Sequence, residues 1–225
     1  MTKKMLASLR SALHEALERE WVDNNVARDV KLVRNHRHEA ERVIPTKAEI
    51  KILIDKAAER HRSMITTAIF TGMRLSELRG LTWDNVCFDV QVIRIEKRAD
   101  RYNVMGKPKS RSSKRSIPMA PSVVRILAAW KDICPKGDLG LVFPNGIGNC
   151  ENHSNISNRV FAPLLINKGI VGVDGKPKFS FHSLRHAAAS LFIEQGWSAK
   201  KIQSILGHST ISMTMDVYGH LFESP

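Results

Sequence analysis

From residue 182 onward the chain carries His182-Ser183-Leu184-Arg185-His186, then Leu206-Gly207-His208, then Tyr218-Gly219-His220, with one of its two tyrosines in the last group. Far upstream, Thr71-Gly72-Met73-Arg74-Leu75-Ser76-Glu77-Leu78 supplies a second arginine at the start of a helical pattern. These residue types suit a phosphodiester. Its oxygens repel nucleophiles and gather charge in the transition state, so an enzyme working without a metal must supply fixed cations. A guanidinium stays charged and offers paired N–H donors to two non-bridging oxygens, which makes Arg74 and Arg185 the candidates. A phenol forms a covalent phosphoester more readily than an aliphatic hydroxyl because its pKa is lower, and neighbouring cations lower it further. Tyr218 is the candidate nucleophile. His182 is placed to accept the phenolic proton and His208 to hydrogen-bond a phosphate oxygen or orient the site, a division that spacing alone leaves open.

The departing 5′-hydroxyl needs a proton, for which Lys109 in Gly106-Lys107-Pro108-Lys109-Ser110-Arg111 is the first choice, with Lys107 and Lys114 as rivals. From Arg94 to Arg115 there are nine Lys/Arg against two acids, Glu96 and Asp100. That stretch is the expected phosphate-facing surface, with Arg94, Lys97, Arg98, Arg101, Lys107, Arg111, Lys114 and Arg115 as DNA contacts. The net charge of +13 over 225 residues points the same way, towards a polyanionic partner. Three widely spaced cysteines and no HExxH leave neither a disulfide framework nor a metal site to expect, and no cofactor is implied. No apolar run approaches the roughly 20 residues of a membrane span, so a cytoplasmic protein is expected.

The elements that must position these groups are mainly helical. Leu6, Leu9, Leu13, Leu17 and Trp21 recur at helical spacing before Asp23-Asn24-Asn25 breaks the pattern, and a basic linker follows to Arg42. Thr46 and Glu49 form a capping box for the next helix, a second runs from Ser63 to Phe70, and Arg74 to Gly80 is a helical turn. Val90 to Glu96 alternates as a strand and Arg115 to Pro118 is a shorter one. Helices are expected from Pro121 to Trp130 and from Ser157 to Lys168. Three more close the chain, with Ser183 and Ser198 as caps, Gly196 and Gly207 as stops, and Ser209 or Thr210 opening the last.

This pattern resembles the tyrosine recombinases, also called the phage integrase family, from about Val43 to Tyr218. The T-G-x-R-x-x-E-L setting matches Arg74, Glu77 and Leu78; H-x-L-R-H matches His182 to His186; L-G-H-S matches Leu206 to Ser209; Tyr218 precedes His220 by two residues. A K-S context before Arg115-Ser116-Ile117-Pro118 places the family's lysine on Lys109. The resemblance implies an α+β, mainly α-helical catalytic domain over residues 43–225, with a small three-stranded antiparallel sheet at one edge. Residues 1–42 would then be the last helix and linker of a mostly missing core-binding domain. Arg74, Lys109, His182, Arg185, His208 and Tyr218 would be catalytic, with Glu77, His186 and His220 supporting them.

It further implies a site-specific recombinase that cleaves and rejoins DNA through a 3′-phosphotyrosine, without metal or ATP, to integrate or excise a phage or other mobile element. Its partners would be double-stranded DNA attachment sites, further copies in a tetramer on DNA, and host DNA-bending and directionality proteins. The alternatives are a type IB topoisomerase-like relaxing enzyme and a DNA-binding regulator that has lost catalysis.

Overall fold

The computed structural model describes residues 2–32, 43–108 and 110–222. They fall into two compact units divided between residues 42 and 43. In the first, helix α1 (Thr2–Glu18) ends near Glu20, whose backbone takes a left-handed φ of 60°. The following segment returns along it: Arg10 donates to the carbonyls of Ala27 and Val30 at 2.8 and 2.7 Å, and Asn25 donates to Arg10 O at 2.9 Å. The helix is three residues shorter than the apolar repeat predicts, because Trp21 N–H closes it on Ala16 O instead of continuing the turn.

The second unit is built around α3 (Glu59–Thr71), which packs on α2 (Lys47–Lys56), α5 (Pro121–Ile133) and α8 (Ser183–Glu194). The capping box of α2 is present, with Glu49 N–H donating to Thr46 Oγ1 at 3.2 Å and Thr46 N–H to Glu49 Oε2 at 2.8 Å. Leu53, Ile65, Ile69, Leu127, Leu184 and Leu206 are buried to 0% exposure in one apolar cluster. Each contributes roughly 1.5–3 kcal/mol of transfer free energy. α3 stops at Gly72 in the left-handed region (φ 63°), where a Cβ would sit 2.6 Å from a Leu206 methyl. The glycine therefore lets the chain turn sharply beneath the helix that carries Leu206.

After α4 (Leu75–Arg79) comes a three-stranded antiparallel sheet in the order β1 (Val86–Cys87), β2 (Val92–Ile95), β5 (Arg115–Pro118). Ile93 pairs with Ile117 and Ile95 with Arg115. The strand expected from Val90 to Glu96 is shorter at both ends, since Gln91 adopts a φ of 51° where the chain turns out of β1. Between β2 and β5, where the sequence reads as a polar hairpin region, β3 (Arg98–Ala99) pairs with β4 (Met105–Gly106) in a second hairpin.

α6 (His153–Asn155) and α7 (Ala162–Asn167) are joined by a wide π-turn over Ile156–Phe161. Pro163 accounts for it: it offers no N–H and crowds the carbonyl one turn back, so the helix widens to accommodate the ring. α8, α9 (Ala199–Leu206) and α10 (Ile211–Phe222) close the unit. Ser198 caps α9 through Lys201 N–H at 3.3 Å and Gly207 ends it at φ 67°. Ser183 does not act as a cap. It is the first helical residue of α8, and His182 holds the cap position without a side-chain bond to the helix. Among the described residues no helix is long and apolar enough to cross a membrane.

Candidate active site

The end of α9 organises the site. The last carbonyls of a helix have no partner within it and carry its negative pole. Three guanidiniums take them here. Arg115 Nε donates to Ile205 O at 2.5 Å, Arg185 Nη2 to Leu206 O at 2.6 Å, and Arg74 Nη2 to Gly207 O at 3.1 Å. Arg185 Nη1 also donates to Gly72 O at 2.7 Å, so the turn after α3 and the turn after α9 grip one arginine between them. Burial, with Arg74 alongside, lowers the Arg185 pKa to about 9, which leaves it charged at neutral pH.

Glu77 is the counter-ion. Its carboxylate accepts both terminal nitrogens of Arg115 at 3.0 and 2.9 Å and Arg74 Nη1 at 2.9 Å, and its Oε2 also accepts Arg74 N–H at 2.9 Å. Burial alone would raise this carboxyl, yet the bonds and charges of Arg115 and Arg74 hold it below the usual carboxylate range. Three cations thus face one anion, and the arginines are fixed before any ligand arrives. Beside them lies a cleft of about 360 Å³ lined by Arg74, Glu77, Arg98, Ser110, Ser113 and Ser209.

Tyr218 lies on α10 and is 1% exposed. Its hydroxyl is 2.8 Å from His186 Nδ1. His182 stands edge-on to His186, ring centres 5.2 Å apart, and is itself exposed at the start of α8. Desolvation, then the charges of Arg185 and Arg74, lower the His182 pKa. His208 follows Gly207, with Nδ1 2.9 Å from the buried Thr214 hydroxyl. Burial, then Arg185, Arg74 and Arg115, push it down to about 4, so its ring is neutral at pH 7. With Nδ1 held by Thr214, Nε2 is the nitrogen left for a ligand.

A family model described as the phage integrase family matches residues 38–224. This chain belongs to the phage integrase family. The tyrosine recombinase XerC-like protein of Caldanaerobacter subterraneus subsp. tengcongensis is 27% identical over 194 residues, covering 75% of this chain and 48% of that protein. The transposase from transposon Tn916 of Enterococcus faecalis is 27% identical over 180 residues, covering 74% and 44%. The chain therefore spans about half the length of these curated relatives. Among solved structures, the Tn1549 transposon integrase in complex with a circular intermediate DNA superposes with a TM-score of 0.79 at 24% identity, covering 96% of this chain and 73% of that one. The lambda integrase dimer bound to a COC′ core site gives 0.71 at 20% identity, covering 96% and 58%. The likeness to both is one of fold.

Within this phage integrase domain, Arg74, Arg185 and His208 converge with Glu77 on the end of α9, while Tyr218 and His186 meet each other. His220 is exposed two residues beyond the tyrosine. Lys109 lies outside the described residues, as does the side chain of Arg111. Of the expected DNA contacts, Arg94, Lys97, Arg101, Lys107 and Lys114 are exposed, and Arg98 is half-buried against the cleft. Arg115 departs from that expectation. Its side chain is 6% exposed and turned inward onto Glu77. The signal was present in the strand period: Arg115 shares its face with buried Ile117, two residues on. Arg79, at the end of α4, is 1% exposed and is not singled out by the sequence.

A stability effect follows from His208. Its folded pKa lies below the unfolded value near 6.5, so the stability it contributes is present above pH 6.5 and is lost as pH falls towards 4. Discounted for its partial exposure, the loss is roughly 2 kcal/mol. Urea unfolding at pH 7 and pH 4.5 should show a difference that shrinks in His208→Asn. An unchanged difference in that variant would remove His208 from the account.

Proposed function

We propose that this chain is the catalytic part of a site-specific DNA recombinase that cleaves and rejoins strands through Tyr218. The observation that carries the reading is the set of guanidiniums fixed on the end of α9 beside a neutral histidine, on the same domain as a phenol already hydrogen-bonded to an imidazole. Arg74 and Arg185 hold the two non-bridging oxygens of the scissile phosphate, and His208 donates a further bond from Nε2. The Tyr218 oxygen attacks phosphorus, a 3′-phosphotyrosine bond forms, and the bond to the 5′ oxygen breaks. His186 is the phenol's partner in this conformation, which puts it ahead of His182 as first acceptor of the proton. Lys109 returns a proton to the departing 5′ oxygen. Attack by a second 5′-hydroxyl reverses the step, and the phosphoester energy is conserved throughout.

The substrate is double-stranded DNA of a mobile element, and four copies assemble on it to exchange strands. Names of relatives support this reading: among them are a transposase from a transposon and the ICEBs1 integrase of Bacillus subtilis.

The test is covalent capture. The protein and its Tyr218→Phe variant are incubated with fragmented, nicked DNA, separated under denaturing conditions, and the attached DNA is sequenced. An adduct that disappears in Tyr218→Phe, on a recurrent sequence, is the expected result. An adduct that persists in the variant would overturn Tyr218 as nucleophile. Binding with no adduct on any substrate would favour a regulator, and relaxation of plasmid without a preferred sequence a topoisomerase.

A further inference from the structure

We infer that Arg79, whose hydrogen bonds reach none of the phosphate-holding residues, is a positioning residue for the general acid; this rests on the reading that Lys109 protonates the 5′ oxygen. Arg79 ends the short helix α4 and is 1% exposed. Its guanidinium bridges two separate segments. Nε donates to Glu151 O at 2.7 Å, Nη1 to Asp100 O at 3.0 Å, and Nη2 to Asn103 Oδ1 and, at 3.7 Å, to Cys150 Sγ. Among the described residues no carboxylate forms an ion pair with it, so a buried charge is held by main-chain and amide oxygens and a thiol sulfur. Such a charge is costly to bury, and packing alone would favour an apolar residue of similar volume. A rigid fork of donors does what an apolar side chain cannot: it fixes the direction of the acceptors it binds.

Two of those acceptors belong to the turn between β3 and β4. Asp100 Oδ1 accepts Tyr102 and Val104 N–H at 2.8 and 3.0 Å, and Asn103 sits in the left-handed region at φ 65°. Beneath the hairpin, Gly80 approaches so closely that a Cβ there would lie 2.6 Å from the Arg98 main chain. β4 ends at Gly106, and Lys107 and Lys109 follow directly in the sequence. One helix therefore addresses both ends of the reaction. Arg74 at its start is one of the cations that hold the phosphate, with Glu77 as counter-ion, and Arg79, about 7.5 Å further along the axis, holds the hairpin leading to the lysine. The phosphate-holding cations and the hairpin are thus both referred to a single rigid turn.

The experiment is single-turnover cleavage by the full chain of a nicked duplex carrying the captured sequence, made with either oxygen or sulfur at the bridging 5′ position. A thiolate departs without protonation, so sulfur removes the need for the acid. Arg79→Met should lose about 10²-fold on the oxygen duplex, the lower range of a general acid's contribution, and stay within about threefold of wild type on sulfur. Lys109→Ala should behave likewise, and Arg185→Ala should stay slow on both. Asn103→Gly keeps the positive φ and deletes one acceptor. It should show the same selective loss at about tenfold, and it decides the matter alone if Arg79→Met proves unfolded by its melting curve. Equal losses on both duplexes, or normal cleavage of the oxygen duplex, would overturn the role of Arg79. If sulfur fails to rescue Lys109→Ala, the role given to the lysine falls, and that of Arg79 with it. If wild type forms no Tyr218 adduct on either duplex, the recombinase reading itself fails.

Discussion

Arg185→Ala is expected to slow formation of the Tyr218 adduct by about 10²–10³-fold, the roughly 2.7–4 kcal/mol seen when one transition-state donor is removed. The side chain is 3% exposed, and each of its two terminal nitrogens already gives one of its two N–H groups, to Gly72 O and to Leu206 O. It is therefore oriented before substrate binds, and little reorganisation accompanies charge development on the phosphate. DNA affinity should change far less, because on the proposed reading binding is spread over the exposed Arg94, Lys97, Arg101 and Lys114. Arg185→Lys keeps the charge but not the fork and should recover only a small part of the rate. Cleavage within tenfold of wild type in Arg185→Ala would remove this residue from the transition state.

The second large effect is on stability. Glu77→Ala leaves Arg115 buried without its carboxylate and should destabilise the domain by about 3–5 kcal/mol, read as a shift in the denaturant midpoint. Replacing both partners, Glu77→Leu with Arg115→Met, should recover most of that loss, since a buried pair exchanged for apolar groups of similar volume is close to neutral. Cleavage should not recover with it, because Arg74 also loses its bond to Glu77 Oε1. A double variant as unstable as the single one would show that the pair itself, and not the stranded charge, was the issue.

The contrast between Glu77 and Arg115 also shows where sequence reading reaches its limit. Thr46 with Glu49, Ser198 and Gly207 are legible because caps and stops are decided within a few residues of chain. Arg74, Arg185, His208 and Tyr218 are legible as chemistry, since their types and order narrow the reactions they suit. Arg115 was hidden by its neighbours. In a run of basic residues one more arginine reads as solvated, and only its sharing a face with Ile117 marks it as inward. The β3–β4 hairpin has two residues per strand, too few for a period to be read. The bond between His186 and Tyr218 joins residues 32 apart, and the grip of Arg79 on Asn103, Cys150 and Glu151 depends on how hairpin and loop fold over α4. Contacts of that kind follow from packing and not from local preference.

For anyone redesigning this domain, the three guanidiniums seated on Ile205, Leu206 and Gly207 divide the permissible changes into two kinds. Side chains around the cleft other than Arg74 and Glu77 are free to be varied for a new target, because the cations take their spacing from consecutive peptide units and from Glu77, and not from the remaining neighbours. The length of α9 is not free. One residue inserted between Ser198 and Gly207 would turn the terminal carbonyls by about 100° relative to the cap and dismantle the cation array, while every residue of the motifs stayed in place.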